Sequence, residues 1–230
     1  MQKVGVTDLE DRPEFYSRNN QADFCSEAGQ RRQLAIVTQN VDSLHSRAGS
    51  KNVMELHGRA NVLKCMQCGN VRDRQSFHIE LDDMNHEWLQ KQRLPTELRP
   101  DGDAFVEDSD FQNVQVPVCH KCGGFFKPDV VFFGDSVPAH RVALADAAVN
   151  EGVCDGILVV GSSLAVHSAF RHVRAASQRG IPIAILNVGP TRAEVEGLPG
   201  IVKIAAPVGT SLEAVASHFA KMEEGSSKPQ

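Results

Sequence analysis

The sequence predicts an α/β fold, in which a parallel sheet carries helices on both faces and a small insert interrupts the chain. Short apolar runs alternate with helical patterns through the second half of the sequence, as in a parallel sheet with helical crossovers. Two C-x-x-C pairs fall in a polar stretch that breaks this alternation. Apolar residues make up 41% of the 230 residues, which is ample for a buried core.

Six short apolar runs are typical of buried strands, and three longer segments have helical spacing. We expect the second helix to be closed by Gly180. The third is predicted to begin with Thr210 as its N-cap and Glu213 three positions later, a capping-box pattern. The predicted strands are 34–38, 53–58, 130–133, 156–160, 181–186 and 201–205, and the predicted helices are 138–150, 165–178 and 210–222.

Composition divides the chain into an interrupted α/β domain and an insert. The insert, residues 59–128, contains both cysteine pairs and a segment rich in Asp, Glu, Gln and Arg. The α/β domain is predicted over residues 31–58 and 129–222. It lies between an N-terminal segment, 1–30, without sustained periodicity and a tail, 223–230, that is predicted to be disordered.

Charge and hydropathy exclude several classes of partner. The formal net charge is −5, which argues against a nucleic-acid partner. No apolar run approaches the roughly 20 residues of a membrane-spanning helix, so no membrane partner is expected. The N-terminus lacks the apolar core of a signal peptide, and its acidic residues are unlike a transit peptide.

Four of the six cysteines form two pairs, Cys65 with Cys68 and Cys119 with Cys122. Together they would supply the four thiolates of a structural zinc site, which has no open coordination position. Without a secretory signal, a metal site is favoured over a disulfide framework. The long segment between the pairs leaves two alternatives open, namely two unrelated pairs of buried thiols or a redox C-x-x-C.

His57 ends a predicted strand in the sequence Glu-Leu-His-Gly. Imidazole suits a general base near neutral pH, and Gly58 would let a ligand approach the backbone closely. A single histidine is also common as an ordinary core or surface residue, and position alone leaves that alternative open.

Polar residues follow two of the predicted strands. Gln39, Asn40 and Asp42 come directly after the first strand, at the end where open α/β sheets bind ligands. The alternative is a polar turn in which Asn and Asp cap the backbone. The turn at 161–163 follows the fourth strand and opens a helix, whose N–H groups can bind phosphate. Its alternative is an ordinary βα turn.

Taken together, these motifs resemble the sirtuin family over about residues 30–205. Each motif alone is weak, but six in the family's order are specific. The resemblance implies a Rossmann-like parallel sheet with an inserted zinc-binding domain. The motifs are VTQNVD at 37–42 followed by Leu44-His45 and Ala48-Gly49, ELHG at 55–58, both C-x-x-C pairs, KPDVVFFGD at 127–135, VGSSL at 160–164 and ILNVG at 185–189.

Further details resemble class II sirtuins, the mitochondrial type associated with lipoamidase, other deacylase and ADP-ribosyltransferase activity. These details are the long spacing between the cysteine pairs, PDGD at 100–103, FGD at 133–135 and NVGPTR at 187–192. The resemblance therefore implies a mitochondrial-matrix location, although the chain shows no transit peptide.

The resemblance also implies a role for each matching residue. His57 would be the general base at the nicotinamide ribose of NAD. The acyl-lysine backbone would pair as an added strand at Val131 and Gly134, and one structural zinc ion would be bound by the four cysteines. The residues implied in NAD binding are Gln39, Asn40, Val41 and Asp42 around nicotinamide and ribose, and Gly161, Ser162, Ser163, Asn187, Val188, Gly189 and Ala205 on the adenosine side.

The sequence departs from the family in two places. Residues 1–28 contain neither a Gly-Ala-Gly run nor G-x-G-x-x-G. We therefore expect the first strand and its phosphate loop to be missing, which would remove N–H groups that hold the pyrophosphate. We also expect apolar sheet surface to be exposed. Ala205 stands where this class is expected to have a cysteine.

Three functional hypotheses follow. The first is an NAD-dependent protein-lysine deacylase that acts on acylated-lysine proteins, with lipoamidase and ADP-ribosyl transfer as related activities. The alternative is a catalytically impaired, truncated sirtuin that acts as a zinc-stabilised binding protein. A zinc-ribbon interaction module without a nucleotide site would leave the βα pattern from 155 to 205 unexplained.

Overall fold

The computed structural model describes residues 24–25, 31–32, 35–91, 111–150 and 154–226. The chain forms two compact units. The first unit, here called the cysteine unit, contains the described residues 40–43, 58–91 and 111–132. The second, here called the parallel-sheet unit, contains the described residues 24–25, 31–32, 35–39, 44–57, 133–150 and 154–226.

The parallel-sheet unit begins with short elements. β1 (Phe24–Cys25) and β2 (Arg31–Arg32) pair antiparallel. β3 (Ile36–Thr38) pairs in parallel with β4 (Val53–Glu55), and α1 (Leu44–Arg47) lies between them in sequence. The first two predicted strands are therefore confirmed with shorter bounds, because Leu56 and His57 form a turn. Leu34 lies outside the described residues.

Its second part alternates strands and helices as predicted. β8, β9 and β10 form a parallel sheet in the order β10-β9-β8. Gly180 has a φ of 73° and follows the second helix, which confirms its predicted role. The elements are α4 (Ala139–Asn150), β8 (Ile157–Val160), α5 (His167–Gln178), β9 (Ile183–Leu186), α6 (Arg192–Val195), β10 (Ile201–Ile204) and α7 (Val208–Ser226).

Helix α5 buries one face against this sheet. Phe170, Val173 and Ala176 lie on that face and pack in one apolar cluster with Ile183 and Ile185 of β9. The three helical positions are spaced i, i+3 and i+6, which places them on one side of a 3.6-residue helix. Phe170 is completely buried, and the guanidinium of Arg192 lies 4.4 Å from its ring centroid.

The other face of the sheet exposes apolar side chains. Leu158 and Val202 flank Ala184 in register, and they are 56% and 63% exposed. They line an open groove of about 360 Å³. The expectation of exposed apolar sheet surface is confirmed. The prediction that helices cover both faces of the sheet is wrong at Leu158 and Val202, whose side chains are exposed. No helix in the described part of the chain is long and apolar enough to span a membrane.

The cysteine unit contains an antiparallel sheet in the order β6-β5-β7. Asp73 caps α2 by accepting a hydrogen bond from the backbone N–H of Ser76 at 2.8 Å. Phe77 of α2 packs edge-on against Phe126 of β7, with ring centroids 5.8 Å apart. The elements are β5 (Gly58–Cys65), β6 (Val71–Asp73), α2 (Arg74–Met84), α3 (His86–Lys91), a 3₁₀ turn (Phe111–Asn113) and β7 (Phe126–Val130).

The strand predicted at 130–133 was wrong in position. β7 ends at Val130, which pairs with Gly58 at the first residue of β5. The ladder stops there because β5 offers no earlier residue to pair with. Phe133 is consequently fully exposed. The cysteine unit thus reaches residue 132, beyond the insert predicted at 59–128.

The last helix also corrects the sequence analysis. α7 begins at Val208, so Thr210 lies inside its first turn and its hydroxyl donates to the carbonyl oxygen of Pro207 at 3.4 Å. The prediction of Thr210 as the N-cap is wrong, because the helix begins two residues earlier, directly after Pro207. The helix continues to Ser226, so the prediction of a disordered tail from residue 223 was wrong for its first four residues. Residues 227–230 lie outside the described residues.

The core role of α5 gives a stability prediction. Phe170→Ala should lower the free energy of unfolding by about 3–5 kcal/mol, because it removes a fully buried ring and leaves a cavity. Urea unfolding followed by circular dichroism measures the difference. Phe133→Ala is the matched control and should change stability by less than about 0.5 kcal/mol, since that ring is exposed. Equal losses in the two variants would contradict this account of the core.

Candidate functional site

The four cysteines converge in the cysteine unit. Their sulfur atoms all lie within 4.8 Å of one another. Cys65 Sγ lies 3.5 Å from Cys122 Sγ, and Cys68 Sγ lies 3.7 Å from Cys119 Sγ. The antiparallel ladder explains how distant pairs meet, because Cys65 at the end of β5 lies opposite Phe126 at the start of β7.

The two C-x-x-C turns have the same backbone geometry. The N–H of Gly69 donates to the carbonyl of Cys65 at 3.0 Å, and the N–H of Gly123 donates to that of Cys119 at 2.7 Å. Both glycines have positive φ, 71° and 73°, which glycine adopts without strain. A Cβ on Gly124 would lie 3.0 Å from the sulfur of Cys65, so a glycine lets the second turn approach the first.

These thiols suit a metal better than a redox pair. A hydrogen bond with the backbone of Cys68 is the main cause that lowers the pKa of Cys65 to about 6. A stabilised thiolate is the form that binds zinc. Four sulfurs in one cluster exclude two unrelated pairs, and together they supply the complete ligand set of a tetrahedral zinc shell. The four cysteines are therefore positioned to hold one structural zinc ion in a closed shell.

A second cluster lies in the parallel-sheet unit, where strand ends meet the start of α5. Gln39 follows β3, and its Nε2 donates to the Oγ of Ser162, which follows β8, at 3.0 Å. His57 follows β4, and its Nε2 lies 2.8 Å from the Oγ of Ser168 in the first turn of α5. The structure thus brings together the predicted residues Gln39, His57 and Ser162, and adds Ser168.

The imidazole of His57 is half-buried. Burial lowers its pKa below the ordinary value, since desolvation disfavours the charged ring. A hydrogen bond with the backbone of Gln39 acts in the opposite direction but is the smaller effect. The ring is therefore neutral near pH 7, as a general base must be before it accepts a proton.

The turn between β8 and α5 is held in an unusual conformation. Gly161 and Leu164 both have positive φ, 59° and 56°. Such a φ is uncommon for a buried leucine, and strain of this kind clusters at functional sites. The N–H of Leu164 donates to Ser162 Oγ at 3.1 Å, and the carbonyl of Ser163 accepts from the N–H of Arg192 at 2.8 Å. Both contacts fix the turn that the sequence singled out.

The loop after β9 contains Asn187, Val188 and Gly189. Asn187 Nδ2 and Lys203 Nζ both donate to the carbonyl of Gly189, at 2.8 and 2.9 Å. Lys203 also pairs with Glu194. Val188 is exposed, and its side chain is open to a ligand.

The pairing of Glu194 also fixes the start of α6. The hydrogen bond with Lys203 is the main cause that lowers the pKa of Glu194. The same carboxylate accepts from the backbone N–H and the hydroxyl of Thr191, which completes a capping box. The spacing T-x-x-E could have revealed this box in the sequence. The contact between Lys203 and Glu194 joins β10 to α6, so no local sequence pattern indicates it.

The other predicted site residues are divided between the two units. Asn40, Val41 and Asp42 belong to the cysteine unit, where the carbonyl of Val41 accepts from the N–H of Ala60 at 2.8 Å. Val131 is half-buried in the cysteine unit. Gly134 belongs to the parallel-sheet unit, is exposed and has a φ of 92°.

Within the parallel-sheet unit, the candidate residues share one edge. Gly161, Asn187 and Ala205 directly follow β8, β9 and β10, which are parallel neighbours. The carboxyl ends of parallel strands lie on the same side of a sheet, where open α/β folds bind nucleotides. The hydrogen bond from Gln39 to Ser162 adds the end of β3 to this edge. The arrangement fits a dinucleotide next to a neutral base.

Comparison with known proteins agrees with this geometry. The profile of the Sir2 family matches residues 15–168, a segment that contains the four cysteines and His57. The chain belongs to the Sir2 family. Among the relatives of this sirtuin, NAD-dependent protein deacetylase 2 of Bradyrhizobium diazoefficiens is 49% identical over 159 residues, which cover 69% of this chain and 56% of the relative.

A second relative is NAD-dependent protein deacylase sir-2.2 of Caenorhabditis elegans, which is 45% identical over 159 residues. The match covers 69% of this chain and 55% of that protein. This sirtuin chain therefore spans little more than half the length of the curated relatives it matches.

Solved structures have the same fold. Sir2Af2 bound to a myristoylated histone peptide is 31% identical, with a TM-score of 0.55, and the match covers 83% of this chain and 66% of that one. A Sir2 homologue in complex with NAD has a TM-score of 0.58 over 94% of this chain and 74% of that one. Its identity is 23%, so this likeness concerns the fold.

The cysteine cluster gives a metal prediction. The purified chain should contain one zinc ion, and Cys65→Ala should lose it, because three thiolates leave the shell open. Elemental analysis measures the metal, and proteolysis checks that the cysteine unit unfolds with its loss. Cys154→Ala is the matched control and should retain zinc, since Cys154 lies outside the cluster. Well-folded wild-type protein without zinc would refute this assignment.

Proposed function

We propose that this chain is an NAD-dependent protein-lysine deacylase, and that His57 is its general base. One observation carries the proposal. A half-buried imidazole with a lowered pKa lies at the carboxyl-end edge of the sheet, joined by hydrogen bonds to Gln39 and Ser168. The names of the relatives support the reaction class, because both describe NAD-dependent removal of acyl groups from proteins.

In the proposed reaction the protein would position the substrates and supply one general base. When bound, NAD would supply an electrophilic ribose carbon with nicotinamide as its leaving group. His57 would accept the proton of a ribose hydroxyl at Nε2, which requires the neutral imidazole. The lowered pKa of His57 keeps that form dominant at neutral pH, so the base is ready before the substrate arrives.

We assign NAD contacts to the residues on the shared strand edge. Gln39 and Ser162 would face the ribose and the phosphate side, since their side chains meet between β3 and β8. The loop of Asn187, Val188 and Gly189 would hold the adenosine, supported by Lys203 behind it. The sirtuin motif implies a nicotinamide role for Asn40, Val41 and Asp42, which belong to the cysteine unit.

The sirtuin motif implies that the acyl-lysine peptide binds at the backbone of Val131 and Gly134, where Gly134 lies in a turn with a φ of 92°. The segment follows β7 directly, and in the proposal the peptide would add as a strand beside it. The histone peptide bound to Sir2Af2 is myristoylated, so that peptide carries a long acyl group. That complex supports testing long acyl chains, including lipoyl-lysine, beside acetyl-lysine.

The finer activities rest on the class II resemblance. Lipoamidase activity and ADP-ribosyl transfer are proposed from the motifs PDGD and NVGPTR. The mitochondrial-matrix location stays a prediction from the same resemblance, and imaging of the tagged protein in its own cells would test it.

A zinc-depleted sample should lose activity through unfolding, because the zinc would be structural.

The base assignment gives a kinetic prediction. His57→Tyr should reduce deacylation by about 10²–10⁴-fold, the usual contribution of a general base. Product release from an acetyl-lysine peptide with NAD, followed by mass spectrometry, measures the rate. In wild type, the acidic limb of the kcat/KM profile, which reports the free enzyme, should lie below the ordinary histidine pKa of roughly 6.5, since burial lowers the pKa of His57.

A matched variant separates chemistry from folding. His140→Tyr places the same substitution at an exposed position of α4 and should retain wild-type activity and zinc content. Deacylation that continues unchanged in His57→Tyr would overturn the proposed role of His57.

A further inference from the structure

Ser168 is a hydrogen-bond partner of the Nε2 nitrogen of His57. Its Oγ lies 2.8 Å from Nε2, a short distance for a hydroxyl–imidazole hydrogen bond. Ser168 is half-buried in the first turn of α5. The two residues are separated by 111 positions, so the contact arises from the tertiary fold.

The two hydrogen bonds of the imidazole define its tautomer. The backbone of Gln39 raises the pKa of His57, as a carbonyl does when it accepts from a ring N–H. We assign the ring N–H that faces the Gln39 backbone to Nδ1, since Nε2 faces Ser168. A neutral imidazole has one N–H, so Nε2 then carries a lone pair and accepts from the Ser168 hydroxyl.

We propose that Ser168 is a positioning residue for the base, which holds Nε2 of His57 unprotonated and oriented to accept a proton from the substrate. The proposal rests on the proposed function of His57 and deepens it. The ring is held between two fixed partners, the backbone after β3 and the first turn of α5. A substrate hydroxyl would then replace the Ser168 hydroxyl as the donor to Nε2, whose lone pair is already present in the correct tautomer.

Helix α5 makes Ser168 a rigid partner. Two positions later, Phe170 is fully buried in the core, and its backbone N–H donates to the carbonyl of Val166 at 3.1 Å. A donor mounted on a packed helix keeps its geometry better than one on a free loop. The positive end of the α5 dipole also disfavours an imidazolium at this position.

Several titratable groups lie on the elements beside His57. They are Glu55 on β4, His167, Arg171 and His172 on α5, and His140, Arg141 and Asp146 on α4, which contacts β4. Arg171 is paired with Asp146 of α4 at 3.2 Å. The shift of the His57 pKa arises first from burial and then, in the opposite direction, from the Gln39 backbone. In this proposal the Ser168 hydroxyl would lower the pKa of His57 further, because the hydrogen bond that it donates stabilises the neutral ring.

The test is a titration of His57 by NMR in the full chain, labelled with ¹³C and ¹⁵N at histidine. The His57 signal is assigned by its loss in His57→Tyr. In Ser168→Ala, the His57 pKa should rise by about 0.5–1 pH unit, which corresponds to one lost hydrogen bond. Ser168→Thr keeps the hydroxyl and should restore the wild-type value. Ser217→Ala, at an exposed position of α7, is the matched control and should also match wild type.

Two results would overturn the proposal. One is a His57 pKa in Ser168→Ala that equals or falls below the wild-type value. The other is a wild-type ¹⁵N spectrum in which Nε2 of His57 carries the proton. The second measurement needs no variant, so it remains decisive if Ser168→Ala does not fold.

Kinetics provide a readout that a purely structural role would not give. In Ser168→Ala, the acidic limb of the kcat/KM profile should move to higher pH by about 0.5–1 unit, with the value at high pH largely kept. A uniform loss of rate at all pH values would contradict positioning. If the wild type shows no deacylation, the proposed function fails, and the NMR titration still tests the Ser168–His57 contact by itself.

Discussion

The hydrogen bond from Gln39 to Ser162 joins residues 123 positions apart and fixes the edge on which the proposed chemistry takes place. β3 and β8 belong to separate sheets in the described structure, and this contact brings their carboxyl ends together. Ser162 also accepts from the N–H of Leu164, so the same oxygen holds the left-handed turn that leads into α5. Helix α5 then presents Ser168 to His57. One polar contact thereby links two strand ends, a strained turn and the proposed base.

The apolar core supports that arrangement from one side of the sheet. Phe170 anchors α5 against β9, and two arginines lie near its ring, which fixes the orientation of the helix. The cysteine unit is stabilised differently, by a short sheet, the aromatic pairs Phe77–Phe126 and Trp88–Phe111, and the sulfur cluster. A unit with so small an apolar core gains most from a metal, which is consistent with structural zinc.

How much the sequence predicts depends on whether the signal is local. The strands at β8, β9 and β10 are apolar runs flanked by turn residues, and the zinc cluster follows from ligand type and pairing, so each could be predicted from the sequence. The end of β7 could not, because it is set by where Gly58 begins the partner strand. The start of α7 was misplaced because Thr210 offered a capping pattern that the backbone does not use. Ser168 was missed for the same reason as Lys203, since each acts through a contact between distant elements.

The most direct test of the account is whether the 230-residue chain binds NAD. Calorimetry with zinc-loaded protein and an acetyl-lysine peptide would measure it. The account predicts saturable binding of one NAD per chain in the micromolar range, because the strand-end edge holds the residues assigned to ribose and adenosine. No binding by folded, zinc-loaded protein would contradict the claim that this edge is a working NAD site. The chain would then carry the sirtuin residues without the sirtuin reaction.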